Sequence, residues 1–457
     1  MVENARLTAD DWLQDVRHLR IGLPDKSMGG CATDYAFRGG DVAVVYPVNG
    51  PSVVDAAMRI VLAAEPRLAS DSVLHITRPG MEGRAPSPVR RTRLPPLTCS
   101  LHTLLANLLD VGGVPHRPFF EDLSPFATDE AERDKLAELG SAAGTDLYFD
   151  YCVREKKSYV ECMSEFPSAR PPLAVLLEMV AILQPRQFSI SSSSLVDIRH
   201  VELCVGLLQR TTPYGRLRTG VCSGHLCHLP VRAEVRLWLR KGTFRNPPPS
   251  VPLILVGPGT GVAPMRALLL ERIHQFSGTA SATTETTAST HTNVLLFYGC
   301  RKRAADMLYR EQWTTQHGFA PCSPPGADEA DRTALRREAG SEVFEIQLAF
   351  SREENKAAAT AAAASDTLEA AHEEMAPDST HRPYVTHRIV QRAAQVWALL
   401  QAGAMVFVAG SANRMPADVK RAFRDVVVQQ GGLDPADADR FLAAMVKKGH
   451  YYVEAWS

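Results

Sequence analysis

No run in the 457 residues approaches the roughly eighteen consecutive apolar positions that a membrane-spanning helix requires. Nor is there a surplus of charge. Fifty Lys and Arg stand against fifty-one Asp and Glu, a formal net charge of −1, which excludes a large basic footprint for nucleic acid. The nine cysteines are odd in number and none is spaced CxxC, which argues against a disulfide scaffold and a zinc ribbon, and no metal site is expected. The opening stretch MVENARLTADDWLQDVRH is acidic and polar, unlike a secretory signal. What remains is a globular chain, expected in the cytoplasm and long enough for about two or three domains.

The second half carries short apolar runs, PLILVG, NVLLFYG, FEIQLAF and AMVFVAG, with helix-like segments such as PMRALLLERIHQF and MPADVKRAFRDVVVQQ between them. Buried strands alternating with helices predict a parallel sheet covered on both faces. The first half differs. DVRHLRIGL, GDVAVVYPV, VELCVGLLQR and AEVRLWLRKG are β-type runs bounded by turn residues, which suggests an antiparallel barrel or sandwich. A long stretch of helical spacing, about 51–183, falls between the second and third of them.

The expected architecture is therefore a β-barrel with a helical insertion over residues 1–247, followed by an α/β parallel-sheet domain over 248–457. The stiff, proline-rich NPPPSVP (246–252) joins them. Three stretches poor in large apolar residues, about 277–292, 320–342 and 356–382, read as surface insertions, with some local helix in the third.

LILVGPGTGVAPMRALLLER (253–272) reads as a buried strand, a glycine-rich turn and an amphipathic helix. Gly257, Gly259 and Gly261 remove side chains where backbone must approach a ligand, and the helix start offers N–H groups to an anion. The spacing is not GxGxxG, and read alone the turn also suits a plain strand-to-helix connection. PRQFSISSSS (185–194) offers the fork of Arg186, the ring of Phe188 and the hydroxyl of Ser189, with Gln187 between. A regular strand cannot aim Phe188 and Ser189 at one ligand, so a twist, a bulge or backbone groups are required. The serine run alone is equally consistent with a solvent loop. In TGVCSGHL (219–226), Gly220, Val221, Cys222 and Ser223 form another phosphate-type turn.

The ordered set GDVAVVYPVN, RQFSISSSS, GVCSGHL, GPGTGVAPMR, YGCRKRAADMLYREQW, AFSRE, YVTHRI, VFVAGSANRMPADV and the closing EAWS resembles the reductase half of the NADPH-dependent diflavin oxidoreductases. That group is related to NADPH–cytochrome reductase and extends the ferredoxin–NADP reductase-like fold. The resemblance runs from about residue 15 to 457, and it is strongest to the branch of cytosolic diflavin reductases serving iron–sulfur cluster assembly. It implies bound FAD, with Arg186 at its phosphates, Phe188 along the flavin ring and Ser189 near the hydride-accepting nitrogen. Gly220, Val221, Cys222 and Ser223 would line the FAD pyrophosphate, and Arg154 would either add a contact or belong to a solvated charge run.

For NADPH, the resemblance implies Gly259, Thr260 and Gly261 at the pyrophosphate and Ser351 with Arg352 at the 2′-phosphate. Tyr384 and Val385 would continue that pocket, and Asp418 would lie at the nicotinamide side. The family's lysine falls on Lys356 or on Arg382, of which Arg382 is favoured by its position relative to Tyr384. Trp456 would cover the flavin face and swing aside for nicotinamide, unless it only fills a core gap, and Glu454 would steady charge on the nicotinamide. The chain opens almost directly on the first strands, so FMN is not expected in it. Electrons would then pass to a separate acceptor, an FMN or iron–sulfur protein. A fragment of a full diflavin enzyme and a catalytically decayed scaffold are the alternative readings.

Overall fold

The computed structural model describes residues 1–24, 36–77, 94–277, 291–322, 333–339, 342–353 and 383–456. The first half contains β1 (Glu3–Arg6), β2 (Val16–Gly22), β3 (Val42–Val45), β4 (Val73–Ile76), β5 (Leu97–Ser100), β6 (Arg186–Ser189), β7 (His200–Gly206), β8 (Gln209–Thr211), β9 (Leu217–Thr219) and β10 (Leu237–Arg240). Two antiparallel sheets result, ordered β1-β2-β7 and β10-β3-β6, besides the paired ribbons β4-β5 and β8-β9. Leu19 and Ile21 of β2, Ala43 and Val45 of β3, and Leu203 and Val205 of β7 bury one shared core between the two sheets.

Between β3 and β6 lie helices that include Pro51–Ala64, Leu101–Asn107, Glu130–Gly140, Tyr159–Glu165 and Leu173–Met179. They bury a core of their own around Leu104, Phe120, Leu136 and Cys162.

The second half is built on β11 (Leu253–Val256), β12 (His291–Cys300), β13 (Ala320–Pro321), β14 (Ala334–Ala339), β15 (Glu342–Phe350), β16 (Met405–Ser411) and β17 (Tyr451–Trp456). Their order is β13-β14-β15-β12-β11-β16-β17. Successive residues feed opposite faces, as strand geometry requires. Leu253 and Leu255 join the core under helix Val262–Ser277. Ile254 and Val256 join the one under helices Val385–Gln391, Ala393–Gln401, Met415–Gly431 and Pro435–Lys447.

Three expectations change. The sheet is mixed rather than parallel, because β14 pairs antiparallel with β15 and β13 with β14. Residues 334–339, expected inside a surface insertion, are that added strand, and Leu335 is buried in the core. Helix Val262–Ser277 is not amphipathic, since residues 261–273 are buried on every side.

Its buried charged residues, Arg266, Glu271 and Arg272, each meet a partner. Arg266 donates to the Ser191 carbonyl (2.7 Å), to Glu202 (2.7 Å) and to Gln312 (3.0 Å). Glu271 accepts from the Gly39 N–H and the Ser193 hydroxyl, each at 2.8 Å. The Arg272 guanidinium donates to the carbonyls of Pro247, Pro248, Pro249 and Val251, which fixes the proline-rich joint from within. Ser191, Ser192 and Ser193 are thus buried, not a solvent loop, and Ser191 and Ser193 are contacts between the halves.

Candidate active site

Strand β6 pairs with β3 residue for residue, Arg186 opposite Val45 and Ser189 opposite Val42. The next residue, Ile190, bridges instead to Leu203 of β7. The chain therefore crosses from one sheet to the other directly after Ser189, which supplies the departure from a regular strand that the sequence pattern called for. Arg186 is exposed, Phe188 and Ser189 are half-buried, and Phe188 packs on the shared core. Gln187 accepts a hydrogen bond from Arg240 (2.7 Å), so its amide is already partnered across the sheet.

Helix Val221–His228 starts after Gly220 with no side chain capping it. Its first-turn N–H groups, orphaned in any helix, carry the positive dipole end. A Cβ on Gly220 would stand 2.8 Å from the Ser223 hydroxyl and 3.0 Å from Leu208. That hydroxyl accepts from the Leu208 N–H at 3.1 Å and donates to the Gly220 carbonyl at 3.3 Å, so it braces the turn. Burial pushes the buried Cys222 thiol up to about 12, with Arg186 pulling the other way. Cys222 is thus a small neutral wall residue beside the Arg186 charge, not a thiolate nucleophile. Val221 is half-buried at the edge of the core. Arg154 lies on the surface and pairs with Asp150 at 3.4 Å.

On the second half, the turn after β11 needs its glycines. Gly259 adopts φ +57°, a left-handed conformation that side chains disfavour. A Cβ on Gly261 would meet the Ala409 carbonyl oxygen at 2.1 Å, and one on Gly257 would meet that of Gly261 at 2.6 Å. Thr260 sits between them, its methyl 3.7 Å from where a Cβ on Gly206 of β7 would lie.

The carboxyl ends of the parallel strands meet here, the usual ligand edge of such sheets. Ser351 and Arg352 follow β15, and their N–H groups donate to the carbonyls of Cys300 (2.9 Å) and Arg301 (2.8 Å). Arg301, Lys302 and Arg303 are thereby brought beside Ser351 and Arg352. Their signal in the sequence was the basic run directly after the strand YGC, not assigned there. Tyr384 is 52% exposed, caps helix Val385–Gln391 and stacks on His387, with ring centroids 5.9 Å apart. Val385 is buried and packs where a Cβ on Gly299 would stand 2.8 Å from it, so its side chain serves the core rather than lining a pocket. Asp418 lies in the first turn of helix Met415–Gly431, paired with Arg421 at 3.4 Å. Lys356 and Arg382 lie outside the described residues.

The C-terminal strand joins this edge. β17 runs parallel to β16, with Glu454 level with Ala409 and Trp456 level with Ser411. The Trp456 carbonyl accepts from the Ala412 N–H at 2.9 Å, while the residue as a whole is 38% exposed. The Glu454 carboxylate accepts from the Thr243 N–H (3.2 Å) and from the Thr243 hydroxyl. Thr243 comes three residues after Arg240, which is level with Val42 and hence with Ser189. The end of β6 and the tail of the chain are therefore brought to one edge. Thr243 carried no motif and was not anticipated.

These features fit a flavin–nicotinamide pair. Cradles that a Cβ would fill lie on the second half, and an uncapped helix start with an exposed arginine lies on the first. The family described as FAD binding domain matches residues 2–225, and the oxidoreductase NAD-binding domain matches residues 255–321. Over these two segments the chain is similar to FAD- and NAD-binding reductases. Its two matched domains and seven-stranded mixed sheet fit the ferredoxin–NADP reductase-like fold.

Relatives include NADPH-dependent diflavin oxidoreductase 1 of Arabidopsis thaliana, 33% identical over all of this chain and 64% of the relative. The protein of the same name in Bos taurus is 31% identical, again over the whole chain and 64% of its length. NADPH–cytochrome P450 reductase of Homo sapiens is 28% identical over 96% of this chain and 56% of the relative. The chain thus spans just under two thirds of the diflavin relatives it matches.

Proposed function

We propose that this chain is an NADPH-dependent FAD reductase that hands electrons to a separate acceptor protein of the FMN or iron–sulfur kind. The observation that carries the reading is that the glycine turn, the loop at Ser351 and Arg352 and the Glu454–Trp456 tail all lie at the carboxyl edge of one sheet, with Thr243 of the first half bonded to that tail. The bound FAD would accept hydride from NADPH and release electrons one at a time, chemistry that belongs to the cofactor.

The chain's own residues bind, orient and exclude. Arg186 and the N–H groups after Gly220 suit the FAD phosphates, Phe188 its ring plane and Ser189 the reacting edge. Thr260 and its flanking glycines suit the NADPH pyrophosphate. Ser351 and Arg352 suit the 2′-phosphate, joined by Arg301 and Tyr384, and we assign Asp418 to the nicotinamide side. The Trp456 ring would cover the flavin face until nicotinamide displaces it, and Glu454 would favour positive charge on the nicotinamide.

We also read the two three-stranded sheets as walls of one barrel, residues 51–183 as its helical insertion, and the proline joint near 247 as the domain boundary. The eight free cysteines among the described residues suit a cytoplasmic, reducing setting. Because the relatives are longer, a piece of a full diflavin reductase is a second reading with the same chemistry. A decayed scaffold is disfavoured, since Arg186, the turn glycines, Ser351 and Arg352 keep the types that binding needs.

Binding alone tests the proposal. The purified chain should hold or take up one FAD and bind NADP⁺ more tightly than NAD⁺, with Arg352→Ala removing most of that preference. A chain that takes up no FAD and does not distinguish the two nucleotides would overturn it.

A further inference from the structure

Glu454 is, with Asp418, one of the two carboxylates that the proposed reading sets at the nicotinamide, and it sits on the terminal strand of the second half. Its partner, Thr243, comes from the first half, on the loop after β10. Two donors of the same residue, the N–H at 3.2 Å and the hydroxyl, converge on one carboxylate oxygen, Oε1. The backbone of Glu454 is fixed independently, because it lies level with Ala409 in the β16–β17 pairing. Ala409 is also the residue whose carbonyl leaves no room for a Cβ on Gly261. Thr243, Glu454, Ala409 and Gly261 thus form one row from the flavin side to the phosphate turn. The neighbouring Gly242 N–H donates to Asp41 at 3.3 Å, and Asp41 pairs with Arg245 at 2.9 Å, so the loop carrying Thr243 is itself braced.

We propose that Thr243 is a positioning residue for the hydride-transfer step, holding the Glu454 carboxylate from across the domain junction so that its charge is fixed before nicotinamide arrives. This rests on the reading of Glu454 given above. With its backbone held by β16 and one oxygen held by Thr243, the carboxylate has little freedom to turn away. Preorganised charge of this kind needs no rearrangement as positive charge develops on the ring. A merely structural contact would tie the tail down without touching the rate.

The experiment compares Thr243→Val, Thr243→Ser and Glu454→Gln in the FAD-loaded full chain. Readouts are anaerobic flavin bleaching by NADPH, calorimetric NADP⁺ affinity and hydrogen exchange of the 451–456 segment. Thr243→Val should bleach roughly tenfold more slowly, as for loss of one hydrogen bond to a charged group, with unchanged FAD content and NADP⁺ affinity. Its 451–456 segment should exchange faster, and Thr243→Ser should restore both the rate and the protection. In a Glu454→Gln background the valine substitution should cost nothing further, because the two residues act as one unit.

A Thr243→Val chain that bleaches at the normal rate overturns the proposal, and so does a loss that simply adds to that of Glu454→Gln. The parent chain guards the underlying reading separately. If it is not bleached by NADPH at all, the reductase reading fails, whatever the threonine variants do.

Discussion

Along helix Val262–Ser277 the two halves of the molecule are joined by groups shut away from water, whereas at the end of β17 they are joined by Thr243 and Glu454 on the surface. The inner seam pairs Arg266, with 5% of its side chain exposed, to Glu202 at 16%, and sets Glu271 against Ser193 and the Gly39 N–H. The outer seam is a hydroxyl on a carboxylate, next to Trp456, a residue more than a third exposed. In a low-dielectric interior a broken pair leaves a charge with no water to replace its partner, so the inner contacts are costly to open. At the surface water takes the vacated place and opening costs little. The relative placement of the halves is thus fixed inside, while the surface contact of Thr243 with Glu454 adds little to it.

The largest expected effect comes from breaking the inner seam. Glu202→Leu leaves the Arg266 guanidinium buried without its carboxylate and should cost about 3–5 kcal/mol, read as a fall in the urea midpoint. Acid should act on the same seam. His317 is pushed down to about 4, first by burial, then by the nearby Arg266 charge. His18, which meets the Tyr309 hydroxyl at 3.5 Å, is lowered chiefly by burial as well. Both are neutral in the folded chain at pH values where the unfolded chain already binds protons. Stability should therefore be full above about pH 6.5 and fall as the pH drops toward about 4, by at most ~3 kcal/mol from His317. A His317→Gln chain should show a flatter pH slope, measured by unfolding at matched ionic strength.

The smallest expected stability effect belongs to the outer seam. Trp456→Ala should change the unfolding free energy by less than about 1 kcal/mol, since the ring is only partly covered. It should tighten NADP⁺ binding instead, by roughly fivefold, because nicotinamide no longer has to displace a stacked ring. A large loss of stability in Trp456→Ala would mean that the ring is core filling, and the contrast between the seams would collapse.

What the sequence disclosed divides along the same line. The runs PLILVG, NVLLFYG and AMVFVAG announced β11, β12 and β16 because a strand buried on both faces reads as nearly unbroken apolar sequence, and FEIQLAF announced β15 although it buries Glu345 and Gln347. The glycine turn was legible for a similar reason: only glycine fits φ +57° at Gly259 or the close approach of Ala409 to Gly261. The inner seam was not legible. The helix that carries Arg266, Glu271 and Arg272 read as amphipathic, and the serine run as a possible loop. Their partners, Glu202, Ser193 and the proline carbonyls, lie far away in sequence. β14 was hidden for another reason, since ALRREA carries three charges in six residues and pairs along the sheet's antiparallel margin rather than in its centre. Thr243 was invisible because a lone loop threonine has no pattern. Only the fold puts it against Glu454.

The most direct measurement is the visible spectrum of the FAD-loaded chain mixed with NADPH, and separately with NADH, in the absence of oxygen. Bleaching should be rapid with NADPH and much slower with NADH, since Ser351 and Arg352 would have a phosphate to grip only in the first. A flavin that stays oxidised with NADPH would contradict the reductase reading, and equal rates with the two nucleotides would remove the role given to the Ser351–Arg352 loop.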